Sequence, residues 1–140
     1  MPLLANDTDG AVTRKRLETW VAKEEKVTIV AATDAATVQT AADLAGAGRV
    51  VYTMTPTAGR ALTTPTGALL GAAFTDEAVG SSFEFTVVNV AATTHAITLT
   101  AAATGVTLLG VGGMATVPAA SSATFVGVFT AANTVSIYRK

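Results

Sequence analysis

From Phe85 to Tyr138 the chain runs for 54 residues without one Asp, Glu, Lys or Arg, and the only side chain there that titrates near neutrality is His95. Such a stretch is either a membrane span or a set of strands. Thr, Ser, Asn and Gly interrupt the apolar residues every two or three positions, so no run of about 18 apolar residues exists and the strand reading stands. A β-protein that works alone places charges on exposed strand edges to block edge-to-edge pairing. This stretch has none, which implies that other protein covers much of its surface. Charge collects instead at the front, where ten of the nineteen acidic and basic residues lie within residues 1–26. The chain thus divides into a charged N-terminal arm, residues 1–26, and a β-rich body, residues 27–140.

With 140 residues, the chain suffices for one domain that buries roughly 70% of its unfolded surface. The absence of cysteine removes disulfides, thiolate metal sites and thiol nucleophiles. A net charge of −1 argues against general nucleic-acid binding, which draws its affinity from clustered Lys and Arg. The one basic triplet, Arg14-Lys15-Arg16, is offset by Glu18, Glu24 and Glu25. Residues 1–7 lack the basic and apolar regions of a secretory signal, so synthesis in the cytoplasm is expected. The sequon at Asn6 then reads as chance.

In the arm, Thr13 is placed to cap a short helix over residues 14–26, with Leu17, Trp20, Val21 and Glu24 on one face. Three turns are marginal alone. Trp20 must anchor the helix, either on its own β-body or as a hot spot against a partner.

In the body, Val27 to Ala32 reads as a first strand and Arg49 to Thr55 as a second, while Thr33 to Ala45 mixes helix and strand formers. Thr64-Pro65 carries a capping hydroxyl and a first-turn proline for a short helix. Phe83, Phe85, Val87 and Asn89 then alternate with Ser82, Glu84, Thr86 and Val88, which turns the phenylalanines to a core. Ile97 and Leu99 share a face. Val106 to Leu109, Met114 to Val117, Ala123 to Thr130 and Val135 to Tyr138 complete the strands, with both faces of the Phe125–Phe129 strand expected to be buried. Arg139-Lys140 should end the chain in solvent. Turn signals at 8–12-residue spacing predict a mainly β fold, an antiparallel β-sandwich or small β-barrel.

Catalytic chemistry is hard to assemble from these residues. His95 is the sole histidine, and Ser81-Ser82 and Ser121-Ser122 lie in no nucleophile elbow. Asp76-Glu77 are adjacent in a loop and project apart, and Glu84 stands alone, so a paired-carboxylate mechanism has no pair. One histidine without neighbouring carboxylates does not make a metal site. Gly110-Val-Gly-Gly has no helix after it and reads as a turn or bulge. No cofactor, metal or small-molecule substrate is expected.

Several segments resemble those of small tailed-phage virion proteins. They are Thr63-Thr-Pro-Thr-Gly-Ala-Leu-Leu, Val79-Gly-Ser-Ser-Phe-Glu-Phe-Thr-Val-Val-Asn, His95-Ala-Ile-Thr-Leu-Thr, Thr104-Gly-Val-Thr-Leu-Leu-Gly and Val135-Ser-Ile-Tyr, together spanning residues 63–138 in that order. The resemblance implies a protein of the capsid decoration (cement or head-fibre) type, on the virion exterior, with no enzymatic role. It also implies a homotrimer bound to assembled major capsid protein, while the charge balance and the lack of a long apolar run predict no nucleic acid or membrane partner. The arm lies outside the similar region. Its charge and its tryptophan nominate Arg14, Lys15, Arg16, Leu17 and Trp20 as the capsid-binding residues. A tail or fibre component and a carbohydrate-binding adhesive module are the alternatives.

Overall fold

The computed structural model describes residues 26–46, 49–75, 78–110 and 113–140. Among these residues the chain forms β1 Val27–Ala31, β2 Thr37–Val38, α1 Ala41–Gly46, β3 Arg49–Met54, β4 Arg60–Thr63 and α2 Gly67–Ala73. There follow β5 Ser82–Asn89, β6 Ile97–Thr100, β7 Val106–Leu108, β8 Thr116–Val117, β9 Ser121–Ala131 and β10 Thr134–Arg139. The fold is mainly β, in two sheets. The larger has strand order β1-β3-β5-β9-β10-β7 and the smaller β2-β4-β6-β8. Neither sheet closes on itself among the described residues.

The pairing is mixed, which corrects the antiparallel expectation. β1–β3, β3–β5, β2–β4, β4–β6 and β10–β7 are parallel, and only β5–β9, β9–β10 and β6–β8 are antiparallel. Parallel neighbours need a long crossover. In the β1–β3 and β3–β5 pairs the crossover is itself structured: the chain leaves the larger sheet, adds a strand to the smaller one, forms a short helix and returns beside its previous strand. Two such circuits, β1-β2-α1 and β3-β4-α2, are followed by β5 and β6, and β8, β9 and β10 then continue the two sheets with antiparallel pairs.

Corners of successive circuits stack through the backbone. Ala32 N–H donates to Thr53 O at 2.8 Å and Val90 N–H to Met54 O at 2.8 Å, while Gln39 N–H reaches Thr63 O at 2.8 Å and Thr64 N–H reaches Thr100 O at 2.9 Å. Side chains reinforce two corners. Asp34 accepts from Thr57 N–H at 3.1 Å and from Arg60 Nε at 2.7 Å. Asn89, buried at the end of β5, donates to His95 O at 2.9 Å and Val117 O at 3.0 Å and accepts from Ala91 N–H at 3.0 Å.

One core joins the sheets and helices. Val50, Tyr52, Phe85, Val87, Phe125, Phe129, Val135 and Ile137 enter it from the larger sheet, Leu62, Ile97, Leu99 and Val117 from the smaller, and Leu44 and Leu70 from α1 and α2. The alternation predicted for β5 and β6 is present, with Phe83, Phe85, Val87, Ile97 and Leu99 buried. Phe83 lies opposite Gly127 in the β5–β9 register, and a Cβ on that glycine would meet the Phe83 ring at 2.3 Å. Three backbones converge elsewhere. A Cβ at Gly67 would lie 2.0 Å from Asn133 O and 2.6 Å from Gly105 O, which lets the start of α2 pack directly on two turns.

Three local expectations are corrected. α2 begins two residues later than Thr64-Pro65 suggests: Thr66 is the N-cap, accepting from Leu69 N–H at 3.3 Å. Thr64 still belongs to the strand ladder, and its buried hydroxyl accepts from Ala102 N–H at 2.9 Å. Val126 and Val128 are half-buried rather than buried, because the core lies on the Phe125–Phe129 side of β9. Arg139 is not free in solvent: its guanidinium donates to Met114 O at 3.3 Å and Thr116 O at 3.1 Å, tying β8 to β10.

Candidate interaction surface

The proposed capsid-binding residues Arg14, Lys15, Arg16, Leu17 and Trp20 lie outside the described residues, as do the loop carboxylates Asp76 and Glu77. The surface described here is therefore that of the body. Among the described residues, four of its charges pair with one another and a fifth is held by carbonyls. Arg60 pairs with Asp34, Lys140 Nζ lies 3.2 Å from Glu84 Oε2, and Arg139 is held by carbonyls. The hydrogen bond from Arg60, helped by those from Thr57, holds the Asp34 carboxyl well below the usual carboxylate range. The same contact raises the Arg60 guanidinium above its ordinary value. Both groups staple the β1–β2 corner to the β3–β4 corner, a structural role that the sequence reading missed because the residues are 26 apart.

Among the described residues no group of three or more His, Cys, Asp or Glu side chains is placed to hold a metal ion. His95 sits exposed in the β5–β6 loop with φ 74°, contributing its carbonyl to Asn89. One cleft of about 210 Å³ is lined, among the described residues, by Ala78, Val79, Phe129, Ala131 and Ala132, all apolar. No described helix is long and apolar enough to cross a membrane.

Buried polar atoms without partners occur near α1. Among the described residues, Gln39, just before the helix, finds no partner for its Nε2 or Oε1, and neither does the Tyr52 hydroxyl. Burial pushes the Tyr52 phenol up from its ordinary value, and the negative charge of Asp43 adds to the shift.

What the body offers a partner is apolar edge. β1 and β2 end their sheets on one side, where Val27, Ile29 and Val38 are 48%, 70% and 64% exposed. β7 and β8 end them on the other, followed or preceded by Leu109 and Met114 at 50% and 45%. The β-branched run from Val27 marks the first of these strands in the sequence, but that it is an edge shows only in the sheet order. No protein-family model, no curated protein and no solved structure matches this chain.

Proposed function

We propose that this chain is a structural virion protein that decorates and stabilises the outside of a phage capsid, self-associating through its body and binding assembled major capsid protein through its arm. The observation that carries the reading is the pairing of sheet edges that are open and uncharged among the described residues with exposed apolar side chains at both ends of the body. Edges of this kind invite strand addition unless another chain covers them. The order of segments over residues 63–138 supplies the assignment to the virion, and the homotrimer rests on that resemblance too. In this reading the two sheets form a sandwich. Charge and tryptophan in the arm supply the features that select a second surface, since aromatic anchors and complementary charge dominate recognition. A tail or fibre component remains the second reading, favoured by the same open ends, because a head-to-tail contact that does not close builds a filament.

Cryo-electron microscopy of particles of the parent phage tests the assignment: density for this fold on the outer capsid shell is expected, and density confined to the tail overturns it. Deleting residues 1–26 should leave a folded oligomer that no longer binds undecorated heads, and Trp20→Ala should weaken binding by about 2 kcal/mol. Undiminished binding by the truncated chain would move the contact to the body.

A further inference from the structure

The two ends of the larger sheet are complementary in direction, in hydrogen-bond parity and in facing. Arg49 N–H donates to Lys26 O, and Ala32 N–H donates to Thr53 O, across β1 and β3. In a parallel pair the N–H and C=O of one residue point to the same neighbour and those of the next residue point away. The backbone groups of Val27, Ile29 and Ala31 therefore face away from β3, toward an edge that no described strand covers. At the far end Val135 N–H donates to Gly105 O and Leu109 N–H to Ile137 O. That leaves the backbone groups of Val106 and Leu108 facing outward. β7 also runs in the same direction as β1, since β9 alone runs against the other strands of this sheet.

We propose that copies of this chain join head to tail, β7 of one adding in parallel to β1 of the next with Thr107 opposite Ile29. In that register Val106 N–H donates to Val27 O, Ile29 N–H to Val106 O, Leu108 N–H to Ile29 O and Ala31 N–H to Leu108 O. Side chains agree with it: Ile29 and Thr107 are exposed on one face, while Thr28, Val30, Val106 and Leu108 turn their half-buried side chains to the other. Neither strand carries a charge to oppose the contact. A two-fold pairing of β1 with β1 would cover one apolar end and leave Leu109 and Met114 open. One head-to-tail contact covers both ends, and a ring built from it has no free edge in the larger sheet. The proposal rests on the self-association in the reading above and names the surface that produces it.

The absence of cysteine makes the register directly testable. Full-length Ile29→Cys and Thr107→Cys variants, both at exposed positions, are prepared separately, checked for wild-type melting, and treated with a short bifunctional thiol reagent alone and mixed. The expected result is a 1:1 cross-linked pair in the mixture and none from either variant alone, with a closed covalent oligomer from the double variant. Cross-linking of Ile29→Cys with itself would overturn the proposal in favour of two-fold pairing. No cross-linking in a protein that sediments as an oligomer would overturn the edge contact and leave self-association standing. Sedimentation as a 14.0 kDa monomer at micromolar concentration would overturn both.

Discussion

Asn89→Ala is the most informative single substitution in the body. Asn89 is 2% exposed and its amide serves three backbone groups, the carbonyls of His95 and Val117 and the N–H of Ala91. His95 is exposed, so water can replace the amide at its carbonyl. Val117 and Ala91 are 0% and 6% exposed, and their groups would lose a partner that water cannot easily replace. At about 1–3 kcal/mol for each buried group left unpaired, the cost should be about 3 kcal/mol. For a domain of this size that corresponds to a drop of roughly 10 °C in melting temperature. Urea unfolding followed by far-UV circular dichroism, at one fixed protein concentration, measures it. Asn89→Asp sharpens the test, because a carboxylate there keeps the acceptor for Ala91 but points negative charge at two carbonyls. It should destabilise more than alanine at pH 7 and recover in part on acidification, when the protonated acid can donate again. A loss below about 1 kcal/mol for Asn89→Ala, with no pH dependence for Asn89→Asp, would refute the claim that this amide locks the corner.

Gly67→Ala should destabilise by more than about 3 kcal/mol, because its Cβ would strike backbone rather than a movable side chain, whereas Gly59→Ala, with nothing within 4 Å, should be near neutral. Thermal denaturation of the two variants side by side checks the contrast. Tyr52→Phe should be neutral or stabilising by up to about 1 kcal/mol, since the hydroxyl it removes has no partner among the described residues. As pH rises past the phenol's ordinary 10.0, the unfolded chain loses the proton before the folded one does. Stability should therefore fall there in the wild type and less in Tyr52→Phe, as urea unfolding at alkaline pH would record. The Asp34 carboxyl has the opposite sign. Its depressed pKa contributes stability that is present above its ordinary 3.8 and is lost as pH falls through the folded value, and Asp34→Asn should abolish that part of the acid sensitivity in a melting series.

The strands and their inward faces were legible in the sequence because they follow from a local rule. Alternating side chains along β5 and β6 turn Phe83, Phe85, Ile97 and Leu99 to one side whatever those strands pair with. The mainly β class was equally legible from β-branched residues and turn signals, and so was the lack of any charge that would guard the later strands. The partner of each strand was not. Parallel sheets ordinarily advertise themselves by helices on both faces and continuous apolar runs. Here one face of each strand remains polar or half-exposed, so parallel strands carry the alternating pattern of antiparallel ones.

β4 is not legible in the sequence because its four residues, Arg60-Ala-Leu-Thr, hold one buried side chain and make sense only beside β2 and β6. In the sequence Asn89 is one more position in an alternating strand, and its role depends on carbonyls 6 and 28 residues away. The Asp34–Arg60 staple depends in the same way on two corners stacking. Alternation is written into each residue's neighbours along the chain, but pairing partner, strand direction and the openness of an edge are set by which segments meet after a crossover. Only the tertiary structure decides those, and it is there that the candidate interface arises.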